Sequence, residues 1–246
     1  MRTRRFLVAL VVVLMVGALL PAGAFAGFTN SRGTSADAWW SSWDWSAGEP
    51  GPDDAISEWN ISGWNGSGIF KDAGMPLDVF KSSMGYASMY SYTPATDGEP
   101  QMWAEFSCFA EPPSVLVFGR NLVTAKLEFM AEGTLNVWKD TEPWIEVGPD
   151  EWTMRDPDES TTEMVSVVAN WRAAGPLTRS SWISRERTDD YFWADRSSQT
   201  YRMATAEATV VGASGTVYFE PEMLNLEGAQ ITSSKSNGRF GGEMPY

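Results

Sequence analysis

The feature that most constrains the fold of this chain is a two-residue rhythm. In residues 101–110, Met102, Ala104, Phe106 and Cys108 share one side while Trp103, Glu105 and Ser107 share the other. In residues 122–129, Val123, Ala125, Leu127 and Phe129 oppose Thr124, Lys126 and Glu128. The pattern returns twice, with Val165, Val167, Ala169 and Trp171 on one side and later Ala204, Ala206, Ala208 and Val210. Successive side chains of a strand point to opposite faces, so this rhythm marks strands with one buried face. A turn around Ala131-Glu132-Gly133 is expected to lead into Leu135 and Val137, and Gly212-Ala213-Ser214-Gly215 to fold Thr216 to Phe219 back as a hairpin. Helical spacing is rare; Leu77, Phe80, Lys81 and Met84 predict one short helix over Leu77 to Met84. The expected fold is all-β, an antiparallel β-sandwich or open barrel.

The stretch before Pro76 has a different character. Gly27 to Gly74 is rich in Gly, Ser, Asp and Trp, with turn signals at Glu49-Pro50-Gly51-Pro52-Asp53-Asp54, and reads as irregular structure. The expected organisation is a signal peptide at 1–26, a Trp/Gly/Ser-rich segment at 27–75 and a β-sandwich domain at 76–246. Six of the 13 tryptophans fall in that segment: Trp39, Trp40, Trp43, Trp45, Trp59 and Trp64. An indole offers a broad apolar face and one N–H donor, which suits stacking on a sugar or burial in an interface. These six are therefore the candidate ligand-binding residues, with Asp44, Asn60 and Asn65 as polar neighbours. The competing reading is that they pack the segment onto the β domain. Asn60-Ile61-Ser62 and Asn65-Gly66-Ser67 match the glycosylation sequon, and a glycan would mark an exposed site.

The first 26 residues carry the marks of export. Arg2, Arg4 and Arg5 precede an apolar run from Phe6 to Leu20, Pro21 breaks it, and Ala24-Phe25-Ala26 supplies small residues for cleavage. The apolar run is shorter than the roughly 20 residues a bilayer span needs, so no membrane span is expected after cleavage. The Arg4-Arg5 pair resembles a twin-arginine signal, but the strongly apolar run favours the general secretory route. The only cysteine is Cys108, so no intramolecular disulfide forms. The chain carries 18 basic and 32 acidic residues, a net charge of −14. Removing the leader's three arginines makes the remainder still more acidic, which disfavours nucleic acid as a partner.

There is no histidine. Ser-His-Asp and Cys-His catalysis and histidine-ligated zinc are excluded by inventory. Serine-hydrolase, phosphate-loop and dinucleotide signatures are absent too. Cys108 shares the inward side of its strand and reads as core, without a basic partner to activate it. Carboxylates remain the one acid/base pair available, as in glycoside hydrolysis, where two must flank the scissile bond. Asp156-Pro157-Asp158-Glu159-Ser160 only faintly follows a calcium loop, because Thr161 stands at the glycine position. Residues 175–200 concentrate Arg179, Arg185, Arg187 and Arg196 among Asp189, Asp190 and Asp195, in a long exposed hairpin or a loop.

Val167-Val168-Ala169-Asn170-Trp171, Gly175-Pro176-Leu177-Thr178-Arg179-Ser180 and Ala204-Thr205-Ala206-Glu207-Ala208-Thr209-Val210 together resemble uncharacterised secreted β-proteins of actinobacteria. The resemblance brings no activity, cofactor or site residue with it. The sequence thus leads to a secreted or cell-envelope binding protein, without cofactor or metal, whose partner is a carbohydrate or another envelope protein. The alternatives are a carboxylate-dependent glycan hydrolase and a purely structural envelope protein.

Overall fold

The computed structural model describes residues 27–41, 55–72, 75–111, 115–188, 191–219 and 228–242. The expected leader at 1–26 lies outside them. Thirteen strands appear among the described residues: β1 (Gly27–Ser41), β2 (Ile56–Asp72), β3 (Asp78–Thr93), β4 (Met102–Ala110), β5 (Val115–Phe118), β6 (Thr124–Lys139), β7 (Trp144–Gly148), β8 (Glu151–Met154), β9 (Glu159–Ala173), β10 (Thr178–Arg187), β11 (Tyr191–Gly212), β12 (Val217–Phe219) and β13 (Gln230–Gly242). Every strand pairing is antiparallel. The all-β antiparallel expectation therefore holds.

The ladder order resolves the architecture further. Strands run β10-β11-β13-β1-β2-β3-β4-β6-β5, and β9 pairs with both β11 and β6. The circuit β1-β2-β3-β4-β6-β9-β11-β13 thus returns to its start: an eight-stranded barrel closed through β9. Closure is confined to one end, because β11 changes neighbours along its length. Its residues 204–212 pair with β9, whereas its residues 192–201 pair with β10 instead. Beyond β9 the sheet β10-β11-β13-β1-β2-β3 continues as six strands with nothing joining β3 to β10 among the described residues.

The closed end is filled with side chains. Inward positions Ile61, Ala87, Phe106, Leu127, Val167, Ala206, Val210 and Ile231 are all buried in one cluster. Contacts cross the interior: Trp171 Nε1 on β9 donates to the Asp37 carbonyl on β1 at 3.1 Å. Phe219 on β12 meets Trp59 edge-on at 5.2 Å, and Phe106 stacks on Tyr218 at 4.1 Å. Burying one such side chain is worth about 1.5–3 kcal/mol, so this cluster is the main store of stability. Outward positions of β6 carry Lys126, Glu128 and Glu132 together with an exposed Met130. No helix among the described residues is long and apolar enough to cross a membrane.

Several sequence expectations are corrected. The described parts of 27–75 are not irregular: β1 and β2 sit between β13 and β3 in the same sheet, so residue 76 begins no separate unit. Small residues hid their alternation. A side chain on Gly66 would meet the Trp64 ring at 2.1 Å, and one on Gly68 the Phe80 ring at 2.4 Å, so rings lie where the glycines leave room. The helix expected over Leu77 to Met84 is instead the start of β3, its Phe80 and Met84 sharing the outer face while pairing with β2 supplies the backbone partners. The turn at Ala131-Glu132-Gly133 does not form either, and β6 runs through it. Gly133 is there for packing, since a Cβ would lie 2.7 Å from Phe106 Cε2 and 2.9 Å from Val165 Cγ1. The hairpin at Gly212-Ala213-Ser214-Gly215 is present, with Gly215 at φ +87°.

Candidate functional site

The open end carries the chemistry. Strand alternation continues from the packed interior onto the inner face of the six-stranded sheet, with no bulge in these ladders. That face bears Arg32 on β1, Lys71 on β2, Lys81 on β3, and Lys235 and Arg239 on β13. Arg196 on β11 and Arg179, Arg185 and Arg187 on β10 complete it. No inner-face position of these six strands holds a carboxylate. Nine of the fifteen basic residues beyond position 26 therefore stand on the open part of one surface of an acidic protein, with Arg202 a tenth where that surface meets the core. All but Lys71 are exposed; its ammonium donates to the Met75 carbonyl.

The surface is hollow. A cavity of about 770 Å³ is lined by Phe28, Asn30, Arg185, Arg196, Asn237 and Arg239 with their neighbours. Further along β11, on the same side as Arg196 and next to the packed core, Arg202 donates through Nε to the Asn121 carbonyl and through a terminal nitrogen to the Gly175 carbonyl, both at 3.1 Å. The first bond ties β11 to the 3-10 turn Arg120–Leu122, whose Leu122 is buried in the core, and the second to the β9–β10 connection. Asp72 and Asp195 also border the cavity, from outer-face positions of β2 and β11; the Asp195 carboxylate accepts from the Ser236 hydroxyl at 2.6 Å and from Ser197 as well. Neighbouring strands lie about 4.8 Å apart and same-face residues roughly 7 Å apart, so these cations repel one another at close range. An anion placed among them relieves that repulsion.

The tryptophans expected to form a platform are distributed. Trp59 is buried, 8% exposed, and belongs to the core. Trp64 lies half-buried on the outer face over Gly66, and Trp39, 56% exposed, is also outside. Trp40 is placed opposite Trp59 in the β1–β2 register; its side chain, and all of Trp43 and Trp45, lie outside the described residues. Trp64 does border a shallow hollow of about 420 Å³ with Ser35, Asp37, Ser62 and Met84. Burial pushes the Asp37 carboxyl up, partly offset by a hydrogen bond from Ser35. It is the one carboxylate there, and paired-carboxylate hydrolysis needs two. Of the sequons, Asn60 is exposed, whereas the Asn65 amide donates to the Leu116 carbonyl at 2.6 Å and accepts from Ser83.

Other candidates take structural roles. Burial pushes the Cys108 thiol up to about 11, which keeps it un-ionised. Asp158 accepts from the Lys139 backbone N–H at 2.7 Å, and no group of three or more metal-ligating acidic or cysteine side chains converges among the described residues. The arginine-rich stretch, left open between hairpin and loop, is the β10–β11 pair and supplies four of the nine cations. No protein-family model matches the chain, and no curated protein is significantly similar to it.

Proposed function

We propose that this chain is an exported, non-enzymatic binding protein of the cell surface or medium, and that it holds an acidic polysaccharide in the mouth of its barrel. The observation that carries the reading is the inner face of the six-stranded sheet, with nine cations and no carboxylate. Between the cations stand Asn30, Asn237, Ser198 and Ser67, amides and hydroxyls that complement sugar hydroxyls. Export, expected from the leader, places polysaccharides ahead of nucleic acids among the polyanions the face meets. Guanidinium groups suit carboxylate partners through paired N–H donors.

Titration of the purified protein with polygalacturonate, neutral dextran and single-stranded DNA tests this. Polygalacturonate is expected to bind, weakening steeply with added salt, and dextran not to bind. Arg185→Glu with Arg196→Glu and Arg239→Glu should lower the affinity at least roughly tenfold, because each exchange turns an attraction into a repulsion. Equal affinity for dextran, or an unchanged triple variant, defeats the reading. Tighter binding of DNA than of polygalacturonate moves the ligand class to nucleic acid.

A further inference from the structure

The end of the barrel opposite the mouth has the reverse character. The β6–β9 connection projects there as the two-stranded sheet β7–β8, joined to no other strand among the described residues. Trp144, Ile145, Val147, Trp152 and Met154 are all exposed on it, Trp152 by 58%. An isolated hairpin is marginal in water, and this much exposed apolar surface on two strands marks a contact site. Glu142, Glu146, Asp150 and Glu151 accompany the apolar side chains. The acidic field extends onto the barrel. Tyr90 is pushed up to about 12 by burial first and then by the charges of Glu58, Glu105 and Glu142.

The geometry points to a second copy of this chain as the occupant: the β7–β8 hairpin of one molecule seats in the cationic mouth of the next. Charge complementarity selects the partner. An anionic membrane or a polyanion would be repelled by the hairpin's four carboxylates. The mouth offers Arg185, Arg196 and Arg239 beside the apolar Phe28 and Ile183, matching an acidic tip that also carries tryptophan. Hairpin and mouth lie at opposite ends of the strands, so one molecule cannot satisfy itself. A contact between unlike surfaces that does not close into a ring continues as an open chain. The inference shares the mouth with the proposed function and regulates it, since a seated hairpin and a polysaccharide exclude each other.

Sedimentation velocity of the purified protein over a concentration series tests this. In low salt the average mass should climb with concentration past that of a dimer, and in molar salt it should fall to that of a monomer. Trp144→Ser with Trp152→Ser, or Glu146→Lys with Glu151→Lys, should each weaken association at least roughly tenfold while polygalacturonate still binds. The decisive measurement mixes a hairpin variant with the Arg185→Glu, Arg196→Glu, Arg239→Glu variant. Each alone should remain monomeric, and the mixture should form dimers that grow no further, because each pair retains one intact mouth and one intact hairpin. Their pairing also certifies that both variants are folded. A wild-type protein that stays monomeric, a hairpin variant that associates normally, or a mixture that stays monomeric overturns the inference. None of these results touches the polysaccharide reading, which fails only through the titrations described for it.

Discussion

Along β11 the same face serves two purposes. Its residues Ala204, Ala206, Ala208 and Val210 are buried to within 2% exposure, while Arg196 and Ser198, on the same side of the same strand, are exposed. The ladder explains the difference. Through 204–212 the strand has β9 beside it, with Trp171 paired to Ala206, and Phe106 and Leu127 belong to the same packed cluster, so inward positions must be apolar and small. Through 192–201 its neighbour is β10 and no opposite wall exists among the described residues, so the inner face meets water. Closure, not strand pattern, decides which half of the face is core and which half is available for binding.

The comparison breaks most readily at the packed end. Trp171→Ala removes a buried indole and its bond to the Asp37 carbonyl, and should cost about 3–5 kcal/mol in urea unfolding. Arg196→Ser at the open end should shift the same midpoint by less than about 0.5 kcal/mol. Equal losses at the two positions would show that the mouth is a structural element.

A smaller effect sharpens the packed side. Gly133→Ala forces a methyl against Phe106 and Val165, and should destabilise by about 1–3 kcal/mol through overpacking. Gly98→Ala, in an exposed turn at φ +97° with open space around it, tests backbone strain without any packing change. A loss at Gly133 no larger than at Gly98 would mean that the interior yields.

The smallest effect concerns the exposed latch that fixes the β11–β12 turn. Glu163 accepts from the Tyr218 hydroxyl at 2.6 Å, the Ser214 N–H at 2.9 Å and the Ser214 hydroxyl at 3.0 Å. The Tyr218 bond first, then those from Ser214, hold its carboxyl below the usual range. A lowered folded value means that the contribution is present above the ordinary carboxylate range and is lost as pH falls through the lowered value. The midpoint difference between wild type and Glu163→Gln should therefore shrink on acidification, and a difference independent of pH would deny the latch. Tyr218, pushed up to about 12 by burial and then by Glu163, predicts the complementary loss at the alkaline end.

Much of the closed end was legible in the sequence, because Val165, Val167, Ala169 and Trp171 recur at every second position, with Ser166 and Asn170 between them, and a strand explains that rhythm. The mouth was harder to see. Arg185 and Arg187 alternate with polar Ser184 and Glu186, and composition records only an acidic chain with scattered arginines. Arg32, Lys235 and Arg196 come from three strands, and only their register shows that they share a face. The tryptophan-rich segment misled for a related reason: Trp59 and Trp64 are five residues apart, and odd spacing in a strand sends one ring inward and the other out.

By itself, the sequence determined that this chain forms strands, that it lacks histidine chemistry and a disulfide, and that its net charge is negative. Those properties depend on neighbouring residues or on simple inventory. The tertiary structure decided where the sheet closes, which glycines give way to rings, and that a chain with net charge −14 presents a cationic hollow. Such properties arise from pairing between residues more than two hundred positions apart, as Gly33 and Ser234 are, and no local pattern encodes a register over that distance.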